Sequence, residues 1–196
     1  MNTIIGAEQQ RLHDLFWRPG QWMHPSWWEQ LELSQWQLVY QQSAACRPLI
    51  DQIIIQRKGL PMSPIPRDLD AYQCQFLALE TQLMKLFIAM GLLVLASPDY
   101  LLFGHYRRHL VEIFGERGCE QLLAIGVFQN SSSQCLYSED DFIMKAQEIG
   151  LSWWYSEKNN CIVYQALGTL FPIQPAKEVP HLGSIIPWLL RVGRFL

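Results

Sequence analysis

The segment from Asp70 to Ala96 carries the apolar pattern that most constrains the fold. Its large apolar residues recur at intervals of three and four, a spacing that places them on one face of an α-helix. They are Phe76, Leu79, Leu83, Leu86, Phe87 and Met90. We therefore expect a central helix that faces the core. The apolar run from Leu86 to Ala96 is shorter than the roughly 20 residues that a membrane-spanning helix needs, so it predicts a buried helix and a chain that does not span a membrane.

A second helix is predicted over residues 48–58. Pro48 suits the first turn of a helix, because its missing amide is not needed there, and Gly59 suits a left-handed end. The apolar face expected to pack on the core comprises Leu49, Ile50, Ile53 and Ile54.

Two later segments also have helix starts and apolar stripes. Ser97 and Pro98 predict the start of a helix that ends at Gly115, followed by a shorter helix over residues 119–129. Ser138 and Asp141 have the spacing of a capping pair and predict the start of another helix. The two expected stripes are Leu102, Tyr106, Leu110, Ile113 and Phe114, and then Phe142, Ala146, Ile149 and Trp153.

The N-terminal part, residues 16–40, contains five of the eight tryptophans. The steps Arg18-Pro19-Gly20 and His24-Pro25-Ser26 interrupt it, and each proline forces the residue before it into an extended conformation. We therefore expect an irregular, looped aromatic segment over residues 16–40, with a short helix that Ser26 caps together with Glu29. Residues 31–40 alternate in a way that fits a strand as well as a helix, and this choice stays open.

Proline-rich stretches connect and follow the helical segments. The prolines between Leu60 and Arg67 predict a stiff, non-helical connection, and residues 130–133 predict a loop. The tail from Phe171 to Pro187 predicts a surface strap before a short amphipathic end. The expected fold is mainly α-helical, a single compact multi-helix domain over residues 1–196 with an irregular aromatic- and proline-rich N-terminal segment and a proline-rich C-terminal strap.

Composition excludes several classes of function. A net charge of -3 offers no basic field for phosphates, so we expect no nucleic-acid partner. The five cysteines are widely spaced and include no C-x-x-C, which fits neither a disulfide framework nor a zinc site and predicts reduced thiols in the cytosol. The first ten residues have neither a basic stretch nor an apolar core, so we expect no secretion signal. The absence of a long heptad pattern predicts that the chain alone is a monomer.

One pair of histidines has the spacing of a metal site. His105 and His109 lie one helical turn apart, as in the zinc motif H-E-x-x-H. Tyr106 stands where that motif has its glutamate, and Arg107 and Arg108 would repel a dication. A solvated basic helix face, or a docking strip for an acidic partner, is the better interpretation. Because no nucleophile or phosphate-binding motif occurs either, we predict a non-enzymatic protein without metal or cofactor.

The candidate protein-binding residues follow from the properties of binding hot spots. Tryptophan and arginine are enriched there, and a backbone restrained by proline loses less entropy on binding. These residues are Arg18, Pro19, Trp22, His24, Pro25, Trp27, Arg107 and Arg108. The alternative is that the aromatic residues only pack the segment on the core. A small-molecule enzyme with an unrecognised site and an aromatic ligand-binding module are the two other functions left open.

Four stretches of the chain resemble the SctK (YscK) family, the accessory component of the cytosolic sorting platform of the bacterial type III secretion injectisome. They are Phe16-Trp17-Arg18-Pro19 with Trp22-Met23-His24-Pro25-Ser26, the segment Leu49–Gly59 with Leu60, the segment Leu83–Ser97, and the segment Asp141–Trp154. The Trp27-Trp28 pair and the proline-rich tail depart from the family pattern. The resemblance implies a non-enzymatic helical adaptor at the cytoplasmic side of the inner-membrane ring. It would link the ring protein SctD to the pod protein SctQ, and so to the stalk protein SctL and the ATPase SctN.

Overall fold

The computed structural model describes residues 6–60, 69–128 and 136–196. Regular structure within these ranges is entirely helical, with no strand, which confirms the mainly α fold. The chain divides into two compact units, Met1–Glu80 with Asn159–Ile173 (unit 1) and Thr81–Lys158 with Gln174–Leu196 (unit 2). The single domain over residues 1–196 stays a prediction. In chain order the helices of the described ranges are α1 (Ala7–Trp17), α2 (Pro19–Trp22), α3 (Ser26–Gln30), α4 (Ser34–Gln42), α5 (Arg47–Lys58), α6 (Ala71–Ala78), α7 (Leu83–Leu95), α8 (Asp99–Leu102), α9 (Gly104–Ile125), α10 (Phe142–Ser156), α11 (Ile162–Leu167) and α12 (Ile185–Val192).

Helix α5 organises the core of unit 1. Its residues Ile50 and Ile54 are buried among side chains of α3 and α4, and Ile55 packs with Phe16 of α1. Gly59 ends the helix with φ of 69°, as the sequence predicts, because glycine adopts the left-handed conformation without steric cost. One side of α5 therefore supports the aromatic segment.

Two arginines at opposite ends of α5 cap the neighbouring helices. Arg47 donates to the carbonyls of Tyr40 and Gln41, at 2.9 and 3.0 Å, where α4 ends. Arg57 donates to the carbonyls of Leu31 and Glu32 just after α3. The final carbonyls of a helix have no partner within the helix, and a cation there also interacts favourably with the helix dipole. Both caps hold α3 and α4 against α5.

The N-terminal segment differs from its predicted looped form. It contains helices α1 to α4, and residues 34–42, which fitted either a strand or a helix, are helical. Ser26 is the first residue of α3 and does not cap it by a side-chain hydrogen bond. The proline rule failed as a predictor of loops here, because Pro19 occupies the first turn of α2, where a missing amide costs nothing.

The predicted apolar face of α5 is half correct. Ile50 and Ile54 are buried, but Leu49 and Ile53 are exposed, and Asp51 and Ile55 are buried in their place. The buried face of α5 is therefore shifted around the helix relative to the predicted face. Helices α3 and α4 cover Ile50 and Ile54, and α1 covers Ile55. Periodicity alone does not reveal which flank of a helix its neighbours cover.

The predicted central helix from Asp70 to Ala96 is interrupted. Asp70 caps α6 in a capping box with Gln73, and a 3-10 turn, Glu80–Gln82, separates α6 from α7. All six residues of the predicted apolar face are nevertheless buried. Within the part of the chain that the structure describes, the stretch Ala71–Leu95 is long and apolar enough to cross a membrane, and 61% of its most apolar window is buried inside the structure. This burial agrees with the core-facing role expected from the sequence.

In unit 2, α7 packs most extensively against α10. A Cβ atom at Gly91 of α7 would overlap the backbone of Ala146, and a Cβ atom at Gly150 of α10 would overlap the backbone of Phe87. The two glycines therefore let the helix backbones approach closely. Trp153 and Trp154 of α10 are buried, as predicted for core residues.

The remaining helices of unit 2 begin near their predicted positions. The chain turns into α8 after Pro98, becomes extended at Phe103 and continues as α9. Leu102 is exposed rather than part of the buried stripe, because α8 ends there. Gly115 breaks the helical conformation with φ of 74°, where the sequence predicts a helix end, but helix resumes at once through Ile125, before the predicted start of the next helix at residue 119.

The start of α10 agrees with expectation, and the tail differs from it in part. The Ser138 hydroxyl accepts from the Asp141 amide at 3.2 Å just before α10. No helix forms between residues 171 and 184, but α12 begins at Ile185 and includes Pro187, the predicted end of the strap. The strap is held at one point by the Trp153 indole, which donates to the carbonyl of Gly183 at 3.0 Å. The predicted connection over residues 61–67 and the predicted loop at residues 130–133 lie outside the described residues.

Candidate functional site

The structure distributes the candidate protein-binding residues over both units. Six of them lie in unit 1 on α2, α3 and the turns beside them, and two lie in unit 2 on α9. The first group comprises Arg18, Pro19, Trp22, His24, Pro25 and Trp27, and the second comprises Arg107 and Arg108. The aromatic segment is therefore the place where most of the predicted site comes together.

A buried carboxylate holds the turn at Gly20. Asp51 of α5 accepts from the Gly20 amide at 2.9 Å and from the Tyr40 hydroxyl at 3.1 Å. Burial raises the pKa of Asp51, an effect that the hydrogen bonds from Gly20 and Tyr40 oppose. A Cβ atom at Gly20 would crowd the Tyr40 ring and the Asp51 carboxylate, so this position requires glycine. Sequence reasoning missed Asp51, although an acidic residue among the isoleucines of α5 was the available signal.

Trp22 is an exposed aromatic residue of the segment, with 37% of its surface accessible. The Arg11 guanidinium lies over its ring, 4.1 Å from the ring centroid. Arg11 is fixed in turn by Glu80, whose carboxylate lies 2.5 Å from the Arg11 Nη2 atom. A cation over an aromatic face is attractive, so Trp22 is supported from one side and open on the other. Neither Arg11 nor Glu80 was identified from the sequence, because they are 69 residues apart in the chain.

His24 and Ser26 attach the segment to the chain after α11. The His24 amide donates to the carbonyl of Thr169 at 2.8 Å. The His24 Nδ1 atom lies 2.9 Å from the Ser26 hydroxyl, which also accepts from the Ile173 amide at 3.3 Å. Burial lowers the pKa of His24, which favours the neutral ring at physiological pH. His24 therefore has a positioning role.

Trp27 is partly buried, and both its indole nitrogen and the face of its ring make contacts. Its indole nitrogen donates to the carbonyl of Phe171 at 3.1 Å. The Lys58 ammonium nitrogen lies 3.4 Å from the centroid of its ring. Burial lowers the pKa of Lys58 to about 7, while the electrons of the ring attract the charged form. These contacts place Trp27 between the core and the surface.

The remaining residues of this group differ in exposure. Arg18 is exposed and lies 3.9 Å from the Asp14 carboxylate, a weak surface pairing. Pro25 is exposed, whereas Pro19 is buried. Arg18 and Pro25 are therefore accessible to a partner, and Pro19 is part of the support.

Arg107 and Arg108 do not form a freely available basic strip. Arg107 pairs with Glu116 at 2.6 Å and donates to the carbonyl of Leu101. Arg108 donates through Nε to the carbonyl of Gly104 at 3.2 Å and is otherwise exposed. Of the two arginines, Arg108 is the more exposed.

The histidine pair on α9 is engaged in separate contacts. His109 lies 3.1 Å from the Glu139 carboxylate, and the His105 ring lies against Tyr106 and Phe103. Among residues 6–60, 69–128 and 136–196, no group of three or more potential metal ligands comes together. These ranges therefore contain no set of side chains from which a metal site could be inferred.

The fold and the site define a class of protein. It is a helical protein in which partly buried hydrogen bonds and a contact between a cation and an aromatic ring hold an aromatic, arginine-containing segment at the surface. The chain belongs to a family of type III secretion system subunits, whose family model matches residues 10–173. The matched region includes the whole aromatic segment and α2 to α11. No curated protein and no solved structure matches the chain.

Proposed function

We propose that the chain is a cytoplasmic, non-enzymatic adaptor of the SctK type in the sorting platform of a type III secretion injectisome. In this role it links the ring protein SctD to the pod protein SctQ, and through SctQ to the stalk protein SctL and the ATPase SctN, and it is required for secretion and virulence. The match of residues 10–173 to type III secretion system subunits carries the proposal. The four stretches that resemble the SctK family fall within this region.

The rigidity of the aromatic segment supports a role in binding. Its backbone is tied at Gly20 to Asp51, at His24 to Thr169 and at Ser26 to Ile173. A segment already held in one shape loses little conformational entropy when a partner binds. The segment thus has the properties of a preformed recognition element.

The contacts suggest different roles for the predicted residues. Trp22 and Arg18 are accessible and are the proposed contact residues, since both types are frequent at hot spots. Pro19, His24 and Trp27 are positioning residues. Arg108, with Arg107 beside it, is proposed to meet an acidic partner surface from unit 2.

The test is affinity purification of the tagged, full-length chain from cells that assemble the whole injectisome. We expect SctQ and SctD to co-purify, and deletion of the gene to abolish secretion. Trp22→Ala combined with Arg18→Glu should lower recovery of one of the two partners by about tenfold, as loss of a hot spot does. The matched control is Val127→Ala, which also truncates an exposed apolar residue but lies in unit 2. Recovery of other secretion subunits without SctQ or SctD would refute the adaptor role.

A further inference from the structure

Helix α9 contains a sharp bend at Gly115. The backbone has φ of 74° and ψ of 165° there, whereas the rest of the helix keeps helical angles. This is a conformation that essentially only glycine adopts. A Cβ atom at Gly115 would meet no atom within 4 Å, so the space around this residue does not require glycine. The backbone conformation of the bend requires it.

The sequence of α9 does not by itself demand a bend. No proline occurs between Gly104 and Ile125, so every residue of the helix has an amide available for an uninterrupted run of helical hydrogen bonds. A glycine inside a helix lowers its stability only modestly. Local sequence and the folded backbone therefore disagree at one residue, which is typical of functional or strained sites.

An ion pair closes the bend. The Arg107 Nη2 atom lies 2.6 Å from the Glu116 carboxylate. The two residues are nine positions apart, which is about two and a half helical turns, so a straight helix would place them on opposite faces with their Cα atoms about 14 Å apart. The pair therefore forms only when α9 is bent. Both side chains are partly exposed, and a pair of this kind is weak enough to exchange one carboxylate for another.

The two halves of α9 differ in what they bury. Residues 104–114 bury two aromatic side chains, Tyr106 and Phe114. Residues 116–125 bury smaller ones, Gly118, Cys119 and Leu122. Burial of less apolar surface stabilises a segment less, so the half after Gly115 is the part that can move while the first half stays in place.

We infer that α9 is a hinge at Gly115 with two states, a bent state held by the pair of Arg107 with Glu116 and a straight state in which this pair is broken. Arg107 is one of the two arginines proposed to meet an acidic partner, and in the bent state Glu116 occupies its guanidinium. A carboxylate of the partner competes with Glu116 for Arg107, so its binding favours the straight state. This last step rests on the proposed function, and the hinge itself does not.

The test measures a distance in the purified full-length chain. Nitroxide labels attached through p-acetylphenylalanine at His105 and Ala124, both exposed, leave the native cysteines in place. In a straight helix the two Cα atoms would be about 28 Å apart, and the bend shortens this distance. Pulsed electron paramagnetic resonance should show mainly the short distance in the wild type. In Gly115→Ala the ratio of long to short distances should rise by about tenfold or more, because alanine is strained in the bent conformation.

A second variant and two controls separate the hinge from general destabilisation. Glu116→Gln removes the ion pair and should raise the same ratio by about twofold to fivefold, as loss of a partly exposed pair does. Gly104→Ala also adds a methyl group that meets no atom within 4 Å, but at a residue without positive φ. Glu112→Gln removes an exposed carboxylate from the same helix. Both controls should leave the distance distribution unchanged.

Chemical modification reports whether the hinge controls Arg107. Phenylglyoxal reacts with accessible guanidinium groups, and mass spectrometry compares Arg107 with its exposed neighbour Arg108 in the same molecule. In Gly115→Ala the Glu116 carboxylate is still present, so modification of Arg107 relative to Arg108 should rise with the population of the long distance. An unchanged ratio of the two modifications in that variant would contradict the link between the bend and Arg107.

An unchanged distance distribution in either Gly115→Ala or Glu116→Gln would overturn the inference, and Glu116→Gln decides alone if Gly115→Ala does not fold. Equal lengthening in Gly104→Ala would overturn it as well. If SctD and SctQ co-purify with the chain but the distances do not change, the hinge fails and the adaptor role stands. If the distances lengthen while neither protein is recovered, the adaptor role fails and the hinge stands.

Discussion

The amide of Gly20 donates a hydrogen bond of 2.9 Å to the buried carboxylate of Asp51, 31 residues further along the chain. This bond joins the turn of the aromatic segment to α5. Asp51→Ala would leave the Gly20 amide and the Tyr40 hydroxyl without their partner, at a cost of about 1–3 kcal/mol for each buried group. We expect the melting temperature to fall by roughly 5 °C or more, measured by circular dichroism.

Asp51→Asn is the matched control for that substitution. Its side-chain oxygen still accepts from Gly20, so the loss of stability should be much smaller.

The pKa of Asp51 is raised in the folded state from an ordinary value of 3.8. The folded protein therefore retains a proton that the unfolded chain loses, and the Asp51 contribution to stability decreases as the pH rises from about 3.8 through the folded pKa. Denaturant titrations across this range should show a larger loss of stability with rising pH in the wild type than in Asp51→Asn, and an identical pH dependence in both would contradict it.

Trp22 and Trp27 should respond differently to truncation. Trp22 is exposed on one side, so Trp22→Ala should change the melting temperature by no more than about 2 °C while weakening recovery of the secretion partners. Trp27→Ala removes the bond to Phe171 and a partly buried ring, so we expect a loss of about 1–3 kcal/mol. Affinity purification and thermal melts of both variants check this. A large melting shift for Trp22→Ala would show that its role is structural.

Lys58 should make stability depend on pH near neutrality. Its pKa is lowered in the folded state from 10.5 to about 7 by burial. Between these values the unfolded chain binds more protons than the folded one, so the Lys58 contribution to stability increases as the pH rises from about 7 toward 10.5. Lys58→Met keeps an apolar side chain next to Trp27 and removes the titration. We expect the gain in unfolding free energy between pH 6.5 and pH 8.5 to be smaller in the variant, with urea denaturation as the measurement.

The contact of α7 with α10 should not tolerate a methyl group at its two glycines. Gly91→Ala and Gly150→Ala each force a Cβ atom into the backbone of the facing helix, and overpacking of this kind costs about 1–3 kcal/mol or more. Gly104→Ala, at the start of α9, meets no atom within 4 Å and should leave stability unchanged or slightly higher. Thermal melts of the three variants provide the comparison. Equal stability of Gly91→Ala and Gly104→Ala would argue against the close approach of the helices.

Local signals in the sequence predicted the parts of this protein that depend on neighbours in the chain. The left-handed end of α5 at Gly59 and the buried face from Phe76 to Met90 were both confirmed. Helix formation joins residues three and four positions apart, so a short window of sequence contains the necessary information. The same short segments carried the resemblance that led toward type III secretion.

Tertiary structure alone decided which sides of the helices are covered and which polar groups are buried. Nothing local distinguishes Leu49, which is exposed, from Ile50, which is buried. The hydrogen bond between Gly20 and Asp51 joins residues 31 positions apart in the chain. The hydrogen bond between Trp27 and Phe171 joins residues 144 positions apart. Such contacts arise only when distant segments pack together, and burial then determines the pKa of Asp51 and Lys58. Local sequence thus indicated where several of the helices form, and packing between them decided which of their residues support the aromatic segment and which remain available to a partner.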